Sequence, residues 1–446
     1  MRIIIAGAGG VGSHLAKMLS TENHDIVLID IDEDKLRRIA SSYDLMTLHG
    51  STTSINLLRD ANIQKSDLFI AVTEKEETNI TSAILGKQLG AVKTIARIDN
   101  QEYLKFQNKE MITGLGIDYM IYPEMIAANE IVGLLHQTGM ADLVDFSGGK
   151  LSMYVIKLEE TAPIIGKSLI ESTPTNGQLD FRAVAITRDM ETIIPRGNDC
   201  FQVNDHVYVI TSQTGLEELL KYSGKVQYDI HNIMILGGSR IGARTAKLLG
   251  KHHNVKLIEI NREKAYQLSN ILDNTLVING DGSNMDLLTS EGLSKMDAFI
   301  GVTGNSETNI LSCTLASQMG VKKTVAEVEN MDYIKLAENM GIETIINKKL
   351  ITAGRIFRFT NSYDVSSIRC LTGTKAEVME FIVKPDARVT KGALKDINFP
   401  KDAIVGGLVR GKSSIIARGS TEIKAQDKVV VFALPSAISK IPKYFN

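Results

Sequence analysis

The sequence contains no tryptophan, and its three cysteines, Cys200, Cys313 and Cys370, lie far apart with no C-x-x-C spacing. This spacing argues against a disulfide framework or a zinc site and suits a reducing cytoplasm. No apolar run approaches the ~20 residues that a membrane-spanning helix needs, which predicts a soluble chain. The formal net charge of −2 gives no reason to expect a nucleic-acid partner or an anionic membrane surface.

The first thirty residues contain the pattern around which the chain is organised. An apolar run at 2–6 predicts a buried strand, residues 7–12 fit G-x-G-x-x-G, and a helix and a second apolar strand follow. In a dinucleotide site, the first glycine makes a tight turn, the second lets the backbone approach a pyrophosphate, and the third lets the helix pack on the strand. The helix N-terminus then favours a phosphate. We therefore predict nucleotide contacts from five loop residues: Gly7, Ala8, Gly9, Gly10 and Val11.

An acidic residue, Asp30, ends the second predicted strand. At this position a carboxylate accepts hydrogen bonds from the ribose hydroxyls and repels a 2′-phosphate, which favours NAD or ATP over NADP. The alternative interpretation is a glycine turn that merely joins a strand to a helix.

Predicted strands alternate with predicted helices through residue 121, which is typical of a parallel sheet covered on both faces. The same order returns 230 residues later, where the segment 297–303 repeats 67–73 and Glu307-Thr308-Asn309 repeats Glu77-Thr78-Asn79. A fixed offset over this length indicates a duplication of whole domains.

Short alternating runs separated by turn residues occupy 151–211 and return from Val378 onward, which predicts a small α+β module after each nucleotide fold. The predicted fold class is therefore α/β, with two Rossmann-like doubly wound parallel-sheet domains, each followed by a small α+β domain, in tandem duplication. The predicted boundaries are 1–137, 138–224, 225–360 and 361–446.

The glycine loop, Asp30, Gly50-Ser51, Val72-Thr73 and Ala96-Arg97-Ile98 together resemble the nucleotide-binding N-terminal (KTN) domain of the regulator-of-K⁺-conductance (RCK) family. The module that follows resembles a TrkA C-terminal domain. The duplicated pair, which covers nearly the whole chain, is similar to the TrkA family of cytoplasmic subunits of Trk potassium-uptake systems.

That resemblance implies a homo-oligomeric ring, expected to be a tetramer, that binds NAD(H), or ATP or ADP. It also implies a cytoplasmic location, peripheral to the inner face of the cell membrane, where the ring changes the gating of a K⁺-translocating membrane subunit of the Trk type.

In an open parallel sheet, a ligand lies over the carboxyl ends of the strands. In the first copy we expect those ends to contribute the side chains of Ser51, Thr52, Thr73, Glu74 and Arg97. Thr73 either contacts adenosine or caps the loop before the next helix. A cation such as Arg97 could meet a phosphate as a bidentate partner, and its alternative role is a salt bridge to Asp99 or Glu74.

The second copy changes several of these residues. Its candidate contacts are Gly237, Gly238, Ser239, Arg240, Ile241, Glu259, Asp281 and Thr303. Ser239 replaces the middle glycine, and Glu327 replaces the cation of Arg97, so a carboxylate would face the phosphates. The cation of Arg240, within the loop, could compensate for the negative charge of Glu327. We predict that the second copy binds phosphates more weakly or prefers a different nucleotide.

An NAD-dependent oxidoreductase with a Rossmann domain is the alternative function. Such an enzyme needs a tuned proton donor near the nicotinamide, and the eight histidines form no evident pair with an acid. We therefore expect neither catalytic residues nor a metal site, and a regulatory rather than an enzymatic role.

Overall fold

The computed structural model describes residues 1–20, 24–135, 142–146, 149–172, 180–188, 191–212, 215–224, 228–342, 344–357, 359, 365–370, 376–438 and 440–445. The chain divides into two compact units. The first contains Met1–Asn129 together with Ile346–Asn361, and the second contains Glu130–Ile345 together with Ser362–Asn446. Among the described residues, no helix combines the length and the apolar character needed to cross a bilayer.

A parallel sheet of six strands, in the order β3-β2-β1-β4-β5-β6, organises the first nucleotide fold. Its strands are β1 (Arg2–Ala6), β2 (Asp25–Asp30), β3 (Met46–His49), β4 (Leu68–Ala71), β5 (Lys93–Arg97) and β6 (Tyr119–Ile121). The helices of this fold are α1 (Gly10–Ser20), α2 (Glu33–Ala40), α3 (Ile55–Asp60), α4 (Glu76–Gln88), α5 (Phe106–Gly114) and α6 (Pro123–Leu135). The central strand β1 is almost wholly buried because helices cover a parallel sheet on both faces.

One predicted helix of this fold differs from the structure. The sequence predicts one helix from Gln101 to Lys109. In the structure this stretch is divided into a short 3-10 turn at Gln101–Leu104 and helix α5, which begins at Phe106. The side chain of Asn100 caps the turn by accepting a hydrogen bond from the backbone N–H of Glu102. The turn ends at Lys105, whose extended backbone (φ −63°, ψ 140°) separates it from α5, and the polarity pattern alone does not reveal this break.

The second nucleotide fold repeats the first, with strand order β14-β13-β12-β15-β16-β17. Its strands are β12 (Asn232–Leu236), β13 (Asn254–Glu259), β14 (Thr275–Asn279), β15 (Ala298–Gly301), β16 (Lys323–Glu327) and β17 (Thr344–Ile346). Its helices are α8 (Arg240–Leu249), α9 (Arg262–Ile271), α10 (Met285–Ser290), α11 (Ser306–Gln318), α12 (Met331–Asn339) and α13 (Lys348–Phe357).

Each parallel sheet is followed by a five-stranded antiparallel sheet. The first of these sheets has the strand order β10-β9-β11-β8-β7. Its strands are β7 (Asp142–Phe146), β8 (Leu151–Lys157), β9 (Phe181–Arg188), β10 (Glu191–Ile193) and β11 (His206–Thr211). The helix α7 (Leu216–Ser223) follows β11 in the chain. The second sheet has the strand order β18-β19-β22-β20-β21. Its strands are β18 (Val365–Cys370), β19 (Glu377–Ile382), β20 (Ala403–Arg410), β21 (Ser413–Ile416) and β22 (Lys428–Ala433). Two short helices, α14 (Pro435–Ile438) and α15 (Pro442–Phe445), follow β22 in the chain. The matching strand orders confirm the predicted fold class and its duplication.

Helix α13 belongs by sequence to the second nucleotide fold but lies in the first unit, where it packs against α1. The ring of Phe359, just after α13, stacks against Tyr119 of β6 with ring centroids 4.2 Å apart. The first unit is therefore completed by a helix encoded more than 300 residues after α1.

Candidate nucleotide-binding site

Two glycines of the first loop occupy positions that no other residue fits. Gly7 has a φ of +112°, and a β-carbon there would lie 2.9 Å from the backbone N of Thr73. A β-carbon on Gly12 would lie 1.8 Å from the carbonyl oxygen of Gly7. Gly237, with a φ of +105°, and Gly242 have the same constraints in the second copy. The first glycine therefore makes the turn and the third permits close packing of helix on loop, as the motif predicts.

The acid at the end of the second strand is bound to the glycine loop in both copies. In the first copy the carboxylate of Asp30 accepts hydrogen bonds from the backbone N–H of Ala8 and, at 2.8 Å, from that of Asp32. In the second, Glu259 accepts from Gly238 N–H at 3.0 Å and from Asn261 N–H at 2.8 Å. These hydrogen bonds orient each carboxylate beside its loop, where it could still accept from ribose hydroxyls through its remaining lone pairs.

The two acids also differ in whether a lysine pairs with them. The ammonium of Lys264 lies 3.3 Å from the carboxylate of Glu259. In the first copy the matching lysine, Lys35, pairs instead with Asp32 at 3.6 Å. The charge of Glu259 is therefore partly neutralised within the protein.

The middle position of the loop is open in one copy and filled in the other. Among the described residues, and apart from the chain neighbours of Gly9, no heavy atom lies within 4 Å of where its β-carbon would be. At the equivalent Ser239, the hydroxyl donates to the carbonyl of Val302 at 2.7 Å and accepts from the backbone N–H of Gly242 at 3.2 Å. Ser239 thus caps α8 and uses an amide that a phosphate would otherwise find free.

A buried asparagine fixes the next strand end in each copy, and sequence reasoning assigned it no role. Asn79 accepts hydrogen bonds from the backbone N–H and the hydroxyl of Thr73, and donates to the carbonyls of Thr73 and Arg97. Asn309 makes the same four bonds to Thr303 and Glu327. The repetition of this asparagine at the same offset as the rest of the fold was the sequence signal that could have identified it. Thr73 is therefore a loop-fixing residue in this geometry, which was one of its two expected roles.

Arg97 at the end of β5 forms the ion pair that was its alternative role. Its guanidinium lies 3.3 Å from the carboxylate of Asp99 and 4.0 Å from that of Glu124, and its side chain is 17% exposed. Within the described part of the chain, its buried Nε has no hydrogen-bond acceptor. The guanidinium is therefore held by carboxylates of the first unit at the carboxyl end of β5.

The remaining candidates differ in their surroundings. Ser51, Glu74 and Asp281 are exposed, whereas Thr52 is buried, with its hydroxyl 2.9 Å from that of Ser82. Hydrogen bonds from the backbone and hydroxyl of Ser283 lower the pKa of Asp281. The side chain of Thr52 is thus used inside the protein, while the other three face solvent.

A separate cavity of about 720 Å³ lies in the second unit, between the antiparallel modules, and includes no residue of either glycine loop. Its lining is mainly apolar, with Arg182, Arg196 and Arg418 among its polar residues. Burial, together with the charge of Arg418, lowers the pKa of Arg182.

Comparison with known families matches all four parts of the chain. Residues 3–123 and 233–348 match the TrkA-N domain, and residues 153–224 and 378–446 match the TrkA-C domain. A "Trk system potassium uptake protein TrkA homolog" of Archaeoglobus fulgidus is 33% identical over 450 residues, covering 100% of both chains. The "Trk system potassium uptake protein TrkA" of Vibrio alginolyticus is 32% identical, covering 97% of this chain and 95% of that protein.

Solved structures share the architecture at lower identity. The GsuK RCK domain superposes with a TM-score of 0.61 at 15% identity, covering 99% of this chain and 94% of that one. The GsuK channel bound to NAD gives a TM-score of 0.60, also at 15% identity, covering 100% of this chain and 78% of that one. At this identity the likeness establishes the fold alone.

Proposed function

The chain belongs to the TrkA family of potassium-uptake proteins, and from that premise we propose that it is a cytosolic, nucleotide-binding regulatory subunit. In this proposal it assembles into a homo-oligomeric gating ring, expected to be a tetramer. The ring lies against the inner face of the membrane and controls K⁺ uptake through a Trk-type translocating subunit.

The observation that carries the nucleotide-binding part is the geometry of the first loop. The space over Gly9 is open, the backbone turns at Gly7, and the carboxylate of Asp30 lies within hydrogen-bonding distance of the loop. Together these features offer backbone amides to a diphosphate and an acid to the adjoining ribose. The residues present therefore fit an adenine nucleotide.

The ligand class in this proposal is NAD(H), with ATP or ADP as further ligands. It is supported by the acid at position 30, which disfavours a 2′-phosphate. It is also supported by the structural neighbours, since GsuK has been solved bound to NAD and to ADP.

We expect the two copies to bind unequally. In the second copy the hydroxyl of Ser239 already uses the amide of Gly242, and Lys264 already pairs with Glu259. Glu327, only 5% exposed, also stands where the first copy has the cation of Arg97. Each difference lowers the attraction for a phosphate or a ribose at the second site.

Regulation would follow from a population shift. A nucleotide that binds one shape of the ring more tightly than another moves the equilibrium by that difference in affinity, and equal affinities move nothing. The bound nucleotide therefore acts as an effector and is not consumed.

Calorimetric titration of the purified full chain with NADH and ATP tests binding, and light scattering of the same sample tests assembly. We expect saturable binding that Asp30→Ala weakens, a mass several times that of one chain, and no steady oxidation of NADH. Binding that is unchanged in Asp30→Ala would overturn the proposed site, and steady turnover would favour an NAD-dependent oxidoreductase.

A further inference from the structure

A lysine of the second repeat lies over the glycine loop of the first. If a β-carbon is placed on Gly10, the first residue of α1, its nearest neighbours are Cε and Cδ of Lys349, at 2.6 and 2.7 Å. The ammonium is one bond beyond Cε, so this side chain brings its charge to the start of α1. Both residues belong to the first unit, because α13 packs there.

The electrostatics of this arrangement favour an anion. Lys348 and Lys349 open α13, whose first turn contains no acidic residue, although a helix N-terminus disfavours cations. The first turn of α1 also contains no acid. The nearby carboxylate of Glu124 lies 3.9 Å from the ammonium of Lys348 and 4.0 Å from Arg97, so cations outnumber this carboxylate in its immediate surroundings.

The second copy supplies the same charge by a different route. Its loop has Arg240 where the first has Gly10, and Arg240 is likewise the first residue of its helix. A β-carbon at position 10 would displace the flexible end of Lys349 from this position, whereas glycine leaves room for it. Each glycine loop therefore has a cation at the start of its helix. In the second copy this cation is Arg240 of the loop itself, and in the first copy it is Lys349 of the other repeat.

We propose that Lys349 is a phosphate-binding residue of the first nucleotide site, donated to it by the second repeat. This inference rests on the proposed function. It means that a nucleotide in the first site contacts both repeats, and that its binding stabilises the packing of α13 against α1. Ligands with more phosphate charge should depend on Lys349 more strongly.

The test measures the affinity of the full chain for ADP and AMP in three variants: Lys349→Met, Lys349→Arg and Lys17→Met. Lys17 lies exposed in the last turn of α1, so its variant makes the same change in net charge away from the loop. We expect Lys349→Met to weaken ADP binding about tenfold and AMP binding less, Lys349→Arg to retain most affinity, and Lys17→Met to match the wild type. The tenfold loss should shrink as salt is raised.

Three contrary outcomes are distinguishable. If Asp30→Ala weakens binding while Lys349→Met binds ADP as tightly as the wild type, the role of Lys349 is refuted and the nucleotide site stands. If the wild type binds neither nucleotide, both the site and this inference fail. Equal losses in Lys349→Met and Lys349→Arg would indicate a packing role and would also refute the proposal.

Discussion

The two nucleotide folds of this chain share a framework. A β-carbon on Gly12 or Gly242 would lie 1.8 or 2.0 Å from the equivalent loop carbonyl, that of Gly7 or Gly237. Asn79 and Asn309 make the same four hydrogen bonds. A buried amide that lost these partners would leave several backbone groups unsatisfied. These positions are therefore required by the fold, whether or not a ligand binds.

The copies differ where a phosphate would lie. Gly9 is replaced by Ser239, Gly10 by Arg240 and Arg97 by Glu327. Both copies therefore have the same fold, but they differ in the residues around the expected phosphate position. The comparison teaches that a glycine-rich loop establishes a Rossmann-like turn, and that its ligand affinity depends on the residues around it.

The largest effect should come from the shared framework. In Gly12→Ala and Gly242→Ala, a β-carbon would lie about 2 Å from a carbonyl oxygen, and we expect each variant to lose about 3 kcal/mol of unfolding free energy. Urea unfolding measures this loss, with Gly9→Ala as the control because no atom lies near its β-carbon. A stable Gly242→Ala would show that the second loop does not share the constraint of the first.

The next effect separates the two acids. We expect Asp30→Ala to weaken the tighter class of NADH binding about thirtyfold and Glu259→Ala to change overall binding only a few fold, because Lys264 already engages Glu259. Calorimetry of the full chain measures both, and Asp34→Ala, an exposed acid on α2, is the matched control. Similar losses in the two variants would remove the distinction between the sites.

A reciprocal exchange at the middle loop position should have a smaller effect. We expect Gly9→Ser to weaken the first site about fivefold and Ser239→Gly to strengthen the second by a similar factor, because the serine hydroxyl competes for a helix-terminal amide. The open space at Gly9 accepts a serine without a clash, so folding should be unchanged. Identical titration curves for Ser239→Gly and the wild type would contradict this account.

The smallest effect is a pH dependence confined to the first unit. Burial, with a contribution from Lys17, lowers the pKa of His14 on α1 below its ordinary 6.5. As the pH falls through 6.5, the unfolded chain takes up a proton before the folded chain does, so the folded state loses stability. We expect unfolding free energy to fall between pH 7.5 and 5.5 by less in His14→Gln than in the wild type. Equal decreases in the two proteins would refute this role.

Much of this architecture could be predicted because strands, glycine turns and the repeat leave regular patterns in sequence. The sequence predicts a strand over 25–30 and helices over 33–40 and 55–60, and these are the bounds of β2, α2 and α3. Gly7 and Gly12 occupy the predicted turn and packing positions. The start of α5 could not be predicted, since it depends on the extended backbone of Lys105 between the 3-10 turn and the helix.

The surroundings of the site were harder to predict. Lys349 lies far from Gly10 in sequence, and only the packing of α13 on α1 brings them together. The inward hydroxyl of Thr52 likewise depends on Ser82 of a later helix. Contacts between distant segments have no local signature, so the partners of a predicted residue emerge only from the fold.

Hydrogen–deuterium exchange of the wild-type chain across a titration with NADH tests the central claim most directly. We predict that the backbone amides of residues 7–12 become protected at lower NADH concentration than those of residues 237–242. Protection of both loops at the same concentration, or no protection of the first loop at saturation, would contradict the claim that the first loop is the principal nucleotide site.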